Sequence, residues 1–354
     1  MTALAFDATV KTADQTLAAV DAAILRKADD GLRPHLGASL IGNPCARRLW
    51  YAFRWAKKLT HEPRMIRLFD RGNREENVIV GHLRAAGMQV ETHDVNGRQY
   101  RFTACDGHFG GSMDGAVLGV IEAPQTWHLL EMKTHNAKSF AELQKKGVAL
   151  SKPEHCDQMQ CYMGWTGMTR ALYIAACKDD DSLHMERIDF DKDRFEALVI
   201  KAARIINAAE PPAKLSEDPA YYLCRFCDYH AQCHGDAVPF PTCRSCAHSS
   251  PATAGGWHCA RHQKPLQTFE QKKGCQAHRF IPAVINFAES IDADEPDNWI
   301  RYRNRKTGAE FVNGAPPDGF SSEEIASVDP AMLGDQVVAD IKTTFGATAQ
   351  KVTP

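Results

Sequence analysis

The stretches GGSMDGAV (110–117) and WHLLEMK (127–133) decide how this chain of 354 residues is interpreted. The second stretch predicts a buried β-strand, because three of its first four residues are apolar. Glu131 and Lys133 are two residues apart, so on a strand both side chains leave the same face. A carboxylate and an ammonium group there are costly unless they are paired or bound to a metal.

Asp114, in the first stretch, supplies a second carboxylate between glycines that allow the backbone to bend. Carboxylate oxygens are preferred ligands of hard cations such as Mg²⁺. Lys133 could then orient a water molecule and help to deprotonate it for attack on phosphorus. The alternative is a surface ion pair on an edge strand, and the spacing alone is a weak signal.

Two further segments strengthen the hydrolytic interpretation. FDRGNREENVIVGHL (69–83) places Glu76 four residues after Gly72 on a predicted helix, with Glu75 as an adjacent rival. HCDQMQCYMGW (155–165) places Gln158 and Tyr162 at i and i+4 on a second helix. Each segment alone also suits an ordinary amphipathic helix.

The order of these motifs resembles the PD-(D/E)XK nuclease superfamily, in particular its RecB-like exonuclease branch. That branch includes AddB-type helicase–nuclease domains and CRISPR-adaptation exonucleases. The resemblance covers about residues 37–235 and rests on Gly72/Glu76, Asp114, Glu131-x-Lys133 and Gln158-x-x-x-Tyr162. It implies an α/β fold, with a restriction-endonuclease-like mixed sheet flanked by helices.

The resemblance also implies roles for single residues. The ligands of Mg²⁺ or Mn²⁺ would be Glu76, Asp114, Glu131 and the Met132 carbonyl. Lys133 would position the nucleophilic water, and Gln158 and Tyr162 would line the DNA path as part of the catalytic set. Many iron–sulfur members carry a histidine where Glu76 stands, so this position departs from that pattern.

A cysteine trio follows the nuclease motifs. Cys224, Cys227 and Cys233 have metal-ligand spacing and leave one position open, for which Cys45 is the natural fourth thiolate. Thiolates suit either an iron–sulfur cluster or zinc. The RecB-like branch has one cysteine before the core and three after it, which implies a [4Fe-4S] cluster that staples the two ends together. The alternatives are zinc with His230 or His234, and unliganded thiols.

A second cysteine set predicts a small zinc module. Its four members are Cys243, Cys246, Cys259 and Cys275. A CxxC pair with two later cysteines is a strong zinc pattern. His248, His262 and His278 are alternative ligands.

A basic segment suggests a DNA-facing patch. Residues 47–74 hold nine Lys and Arg against two acidic residues, and the aromatic residues Trp50, Tyr51, Phe53 and Trp55 lie among the first of them. Cations for phosphates and aromatic rings for bases suit single-stranded DNA. The candidate DNA-binding residues are Arg47, Arg48, Arg54, Lys57, Lys58 and Arg71. The alternative is a helix with a buried aromatic face.

Composition excludes some classes. The formal net charge of −2 gives no global field for nucleic acid, and 44% hydrophobic residues exclude wholesale disorder. The start of the chain lacks the apolar core of a signal peptide, so we expect a cytoplasmic protein of a bacterium or infected host cell. Twelve cysteines in such a chain favour metal sites over disulfides.

The expected organisation has three parts: a nuclease domain with an iron–sulfur cluster at 1–240, a zinc module at 241–282, and an acidic linker with a C-terminal hairpin and tail at 283–354. The expected function is a metal-dependent DNA exonuclease of phage or bacterial recombination, repair or processing. The alternative is a non-catalytic DNA-binding or adaptor protein on a nuclease scaffold. No GxxxxGK[ST] motif is present, so we expect unwinding, if needed, to come from a partner such as a recombinase, single-strand annealing protein or helicase.

Overall fold

The computed structural model of the chain describes residues 12–314 and 319–350. The helices are α1 Asp14–Lys27, α2 Ala38–Ile41, α3 Ala46–Phe53, α4 Pro63–Ala85, α5 Ala137–Ser151, α6 Pro153–Thr166, α7 Lys192–Asn207, α8 Tyr222–Arg225, α9 His230–His234, α10 Thr268–Gln271, α11 Ser322–Ser327 and α12 Gln336–Phe345. The strands are β1 Leu36–Gly37, β2 Gln89–Glu91, β3 Arg101–Ala104, β4 Phe109–Ser112, β5 Gly115–Leu118, β6 His128–His135, β7 Arg170–Cys177, β8 Leu183–Asp189, β9 Ser249–Pro251, β10 Trp257–Cys259, β11 Lys264–Leu266, β12 Ala288–Asp294, β13 Trp299–Asn304 and β14 Glu310–Asn313.

A five-stranded mixed sheet in the order β2-β5-β6-β7-β8 forms the centre. The central strands β6 and β7 are parallel, and the other neighbours are antiparallel. The crossover from β6 to β7 consists of α5 and α6, which is the helical connection that a parallel pair needs. The expected α/β mixed sheet flanked by helices is therefore confirmed at the level of architecture.

Both faces of β6 are covered. On one face Leu130 and Met132 pack with Ile79 and Leu83 of α4. On the other face Leu129 joins a core with side chains from α5 and α6. Glu131 and Lys133 alternate with the first pair, so they lie on the face of Leu129. The sheet thus places two charged side chains between apolar layers.

The turn residues Asp106 and Gly107 predict one strand over 108–121, but this stretch forms two strands in different sheets. β4 pairs with β1 and β3, whereas β5 pairs with β2 and β6. The chain changes sheets at Met113 and Asp114, between the two strands. This change frees Asp114 from either strand ladder.

The stretch 283–298 is not a linker, which corrects the expectation from its acidic residues. It contains β12, and β12 pairs antiparallel with β13. Asp292 lies opposite Arg301, and Glu289 forms an ion pair with Arg305 at 3.4 Å. The acidic run is therefore the cross-strand partner of the basic run that follows it.

The expected hairpin is confirmed, because β13 pairs antiparallel with β14 around Gly308. The expected tail contains two helices instead. Lys342 of α12 is buried, forms an ion pair with Glu324 of α11 and lies over the Phe320 ring. Residues 315–318 and 351–354 of this region, and residues 1–11 of the expected nuclease domain, lie outside the described residues.

One hydrophobic core extends from the N-terminal part of the chain into the region after residue 240. Trp257, Phe280 and Tyr302 belong to the same buried cluster as Trp50 and Phe53. None of the helices within the described residues combines the length and apolarity of a membrane span.

Candidate active site and cysteine clusters

Asp114 and β6 meet because β5 begins one residue after Asp114. The β5–β6 ladder ends at the pair Gly115 and Leu130, so the next amide on that side, Met132 N–H, has no strand partner there. The Asp114 carboxylate takes that place and accepts a hydrogen bond from Met132 N at 3.0 Å. The carboxylate is thereby fixed beside the strand that carries Glu131 and Lys133.

Lys133 joins the two carboxylates. Its Nζ forms an ion pair with Glu131, lies 3.7 Å from Asp114 Oδ2 and donates to the Met132 carbonyl at 3.2 Å. Burial alone would lower the pKa of Lys133, but the attraction of Glu131 and Asp114 outweighs burial and raises it. Lys133 is therefore protonated at neutral pH.

Glu131 is fully buried, and burial raises its pKa against the opposing effect of Lys133. Gln158 Nε2 donates to Glu131 Oε2 at 3.2 Å. One ammonium group and one amide therefore hold this carboxylate inside the protein.

Glu76 reaches the same place from α4. A cleft of about 420 Å³ is lined by Gly72, Glu75, Glu76 and Lys133 together with other residues of α4 and β6. Burial and the Asp114 carboxylate raise the pKa of Glu76 to about 7, against the opposing effect of Lys133. Glu76 thus lies within electrostatic reach of Asp114, although Glu75 also lines the cleft.

Gln158 and Tyr162 lie beneath the site, which corrects the expectation that they line a DNA path. Gln158 is 6% exposed and Tyr162 is 2% exposed. Tyr162 packs so close to β4 that a Cβ on Gly111 would collide with its hydroxyl. Gln158 braces Glu131 from the protein interior, whereas Tyr162 packs against β4.

A buried histidine–tyrosine network next to these residues was missed from the sequence. The Tyr173 hydroxyl is hydrogen-bonded to His135 Nε2 and to His155 Nδ1, each at 2.9 Å. Tyr173 pairs with Glu131 across β6 and β7. A signal was present, since His135 continues the alternation of Glu131 and Lys133, and His155 lies one helical turn before Gln158.

The three carboxyl groups near Lys133 fit a divalent cation. Glu76 and Glu131 both have raised pKa values, because burial and neighbouring carboxylates disfavour their ionised forms. A single ammonium group does not balance three carboxylates, and a divalent cation would. The Met132 carbonyl, expected as a further ligand, is the acceptor of Lys133 in this structure.

The first cysteine set surrounds one cavity. Cys45, Cys224, Cys227 and Cys233 all line a space of about 310 Å³. Burial raises the pKa of Cys227 and of Cys233, and the Cys45 thiol adds to both shifts. Two distant parts of the chain thus contribute sulfur atoms to one place, and this arrangement fits a metal group bound by thiolates.

The second set surrounds another cavity, of about 540 Å³, lined by Cys243, Cys246, Cys259 and Cys275. Burial and the other three thiols raise the pKa of Cys243 to about 12. Among the alternative ligands, His248 is hydrogen-bonded to the Asn298 side chain at 2.7 Å, and His278 is hydrogen-bonded to the Thr242 carbonyl at 3.0 Å. His262 lies 3.7 Å from Cys275 Sγ.

Buried arginines next to this second set supply a positive environment. Arg54 and Arg279 donate to backbone carbonyls, and burial lowers the pKa of both, while the Cys246 thiolate opposes that shift. Four thiolates around one divalent ion carry a net negative charge, which would balance these guanidinium groups. The donor set therefore fits zinc.

The expected DNA-facing patch is partly wrong, because much of it is inside the protein. Arg54 is 3% exposed and donates to the carbonyls of Arg244 and Ser249. Arg47 is 9% exposed and donates to the Pro212 carbonyl. Four aromatic residues of the patch are buried, namely Trp50, Tyr51, Phe53 and Trp55. Sequence composition could not distinguish this core from a base-stacking surface.

The rest of the patch is accessible. Arg48 forms an ion pair with Asp228 at 3.3 Å, and Lys57 donates to the Asp228 carbonyl at 3.1 Å. Arg71 lies on the side of α4 nearest Lys178, to whose carbonyl it donates. Lys58 is exposed.

Within residues 12–314 and 319–350, no three His, Cys, Asp or Glu side chains already lie close enough together to hold a metal ion. The acidic set and the two cysteine sets are therefore predictions of which side chains would close around a metal.

No protein-family model matches the chain. No curated protein sequence matches it. Among solved structures it is similar to an alkaline exonuclease, LHK-Exo, from Laribacter hongkongensis, with 21% identity over 52% of this chain and 88% of that chain, at a TM-score of 0.36. The complex of LHK-Exo with dAMP matches with a TM-score of 0.35 at the same identity and coverage.

A protein named SSO0001 is also similar, with 14% identity over 63% of this chain and 96% of that chain, at a TM-score of 0.36. Similarities of this size do not indicate a reaction, so any chemistry must follow from the side chains of this chain.

Proposed function

We propose that this chain is a metal-dependent deoxyribonuclease that hydrolyses phosphodiester bonds, and that it acts as an exonuclease. The observation that carries the proposal is the junction of Asp114, Glu131 and Lys133 beside an open cleft. A buried ionic cluster without a ligand adds little stability, so a chemical role is the better account of it.

Asp114, Glu131 and Glu76 would hold Mg²⁺ or Mn²⁺. When bound, the ion supplies Lewis acidity and neutralises charge at a phosphate group. Gln158 fixes one oxygen of Glu131 through its amide, so that carboxylate keeps one orientation. Asp114 is held in the same way by the Met132 amide.

Lys133 would act as a hydrogen-bond donor to the attacking water or to a phosphate oxygen. Its raised pKa keeps the ammonium group protonated. This replaces the expectation that the lysine helps to deprotonate the water. The positive charge would stabilise the negative charge that develops on the phosphate.

The test is cleavage of end-labelled single- and double-stranded DNA in Mg²⁺, Mn²⁺ or EDTA. We expect Lys133→Met to lose about 100-fold or more in rate while it still binds DNA, because backbone contacts provide most of the affinity. Lys145→Met changes an exposed lysine of α5 and is the matched control. DNA binding by the parent protein without any cleavage would instead favour an adaptor protein.

We also propose that Cys45, Cys224, Cys227 and Cys233 hold a [4Fe-4S] cluster. The support is their common cavity. Protein purified without oxygen should be brown and contain about four irons per chain. Cys45→Ser should remove the colour, whereas Cys105→Ser, outside both sets, should keep it. Purified protein that contains zinc but no iron would contradict the proposed cluster.

For the second set we propose a Zn²⁺ ion bound by Cys243, Cys246, Cys259 and Cys275. The support is the common cavity and the adjoining buried arginines. Metal analysis of Cys259→Ser should show about one zinc less than the parent. If His262→Ala lowers the zinc content and Cys259→Ser does not, the four-cysteine set is wrong.

A role in phage or bacterial DNA recombination, repair or processing is part of the same proposal, as is a recombinase, annealing protein or helicase as partner. Co-purification with such a protein from the source cells would support it.

A further inference from the structure

A second cleft shares one lining residue with the cleft of the candidate active site. It measures about 470 Å³ and lies between the segment 29–36, the end of α3, the loop before α4 and Phe69. Phe69 lines both this cleft and the cleft of Glu76 and Lys133. The two clefts therefore both lie beside one aromatic side chain, and Phe69 is the residue that they share.

Phe69 is 45% exposed, and its ring meets the His61 ring edge to face with centroids 5.1 Å apart. A single exposed apolar residue is ordinary. Here the ring lines two clefts and lies on the same face of α4 as Gly72 and Glu76, at i, i+3 and i+7. Its position, rather than its exposure, indicates a ligand.

The charges around the second cleft suit an anionic chain. Arg33 and Lys57 line it. Two aspartates also line it, but Asp30 is neutralised by an ion pair with Lys272, which lowers the pKa of Asp30. Asp29 accepts from the Gly31 amide in the turn. A groove with cations and an aromatic ring fits single-stranded nucleic acid.

We propose that this second cleft binds the single-stranded end of a DNA substrate and that Phe69 stacks on one of its bases. The inference rests on the proposed nuclease function and adds the substrate form. Phe69 and Glu76 are seven positions apart on α4, about 10 Å along the axis. That length is about three stacked nucleotides, so the base on Phe69 would lie close to the bond that is cut.

The test is fluorescence anisotropy of a labelled single-stranded oligothymidylate in EDTA, which prevents cleavage. We expect Phe69→Ala to bind about 5- to 100-fold more weakly, the range for loss of one base stack, and Phe69→Trp to bind like the parent. Val78→Ala is the control, because Val78 is 47% exposed on the opposite side of the same helix.

A base reporter tests the stacking directly. In an oligonucleotide with 2-aminopurine at successive positions, fluorescence should be quenched at one position in the parent and recover in Phe69→Ala. If Phe69→Ala binds, quenches and cleaves like the parent while Lys133→Met does not cleave, the second cleft is not the DNA path and the nuclease proposal stands. If the parent never cleaves but Phe69→Ala still weakens binding, the nuclease proposal fails and the base contact stands.

Discussion

Glu75 and Glu76 are adjacent residues with different surroundings. Burial and Asp114 raise the pKa of Glu76, so its ionised form is disfavoured unless a cation is present. We expect Glu76→Gln to lower cleavage at least about 10-fold and to need more Mg²⁺ for half-maximal rate. In EDTA the same variant should melt no lower than the parent, because a charge repulsion is removed. Glu75→Gln should cleave within about 3-fold of the parent, and the opposite ranking would make Glu75 the ligand.

Tyr173 and Tyr302 are both buried, but they differ in the hydrogen bonds of their hydroxyl groups. The Tyr173 hydroxyl bridges two histidines, donating to one ring and accepting from the other. Tyr173→Phe leaves both imidazoles without this partner and should cost about 1–3 kcal/mol of unfolding free energy. Cleavage should fall as well, since His155 and Gln158 share α6.

The Tyr302 hydroxyl is buried and lacks a hydrogen-bond partner among the described residues. Tyr302→Phe should therefore be neutral or stabilising when the unfolding of both tyrosine variants is measured in urea. Equal destabilisation by the two changes would show that the Tyr173 bridge is unimportant.

At the scale of elements, Arg244 joins the CxxC segment to α3. Its guanidinium carbon lies 3.7 Å from the Trp55 ring centroid and 4.7 Å from that of Trp257. It donates to the carbonyls of Phe53 and Pro34 at 3.0 and 2.9 Å. Arg244 is 1% exposed, so these hydrogen bonds are shielded from water.

Arg244→Met should therefore cost about 3–5 kcal/mol, because it leaves buried carbonyls unpaired and removes the stacked cation. The loss should appear in one cooperative transition, since the core is continuous. Arg187→Met, an exposed change on β8, should stay within about 0.5 kcal/mol. A separate early transition of the C-terminal region would contradict this coupling.

The elements with strong periodicity could be predicted from the sequence. The sequence pattern predicts helices at 15–28, 137–147, 154–167 and 191–209, and α1, α5, α6 and α7 confirm them. α4 begins at Pro63, six residues before the expected start at 69, and proline in the first turn was the missed signal. The β4–β5 break was not predictable, because it depends on which sheet each half joins.

The candidate site was predictable where residues adjoin in sequence. Glu131 and Lys133 share a strand face, and the structure brings Asp114 to them. Burial was not predictable: Gln158 and Tyr162 lie under the site, and Arg54 lies in the core. A basic residue within an aromatic run can face solvent or lie over a ring, and only tertiary packing decides between them.

At the scale of the whole molecule, buried neutral histidines predict loss of stability in acid. Burial lowers the pKa of His135 and of His278 to about 4, below the ordinary value of 6.5. Between these values the unfolded chain binds protons that the folded chain does not, so stability falls as pH falls. The slope should reach about 1.4 kcal/mol per pH unit for each histidine.

Urea unfolding between pH 7.5 and 4.5 measures this slope. His278→Asn should reduce the slope by about 1.4 kcal/mol per pH unit, which corresponds to one proton. His82→Asn, a change at an exposed residue of α4, should leave the slope unchanged. An unchanged slope in His278→Asn would mean that this imidazole titrates normally in the folded chain.

The stack of Trp55, Arg244 and Trp257 also has a consequence for the chain while it is being synthesised. Its first and last members are about 200 residues apart. At about 5–20 residues per second, a ribosome needs about 10–40 s to deliver the later members. During that interval the aromatic side of α3 has no cover, and its native contacts are long-range ones that form slowly. Newly made chains should therefore need chaperones until translation has passed residue 257.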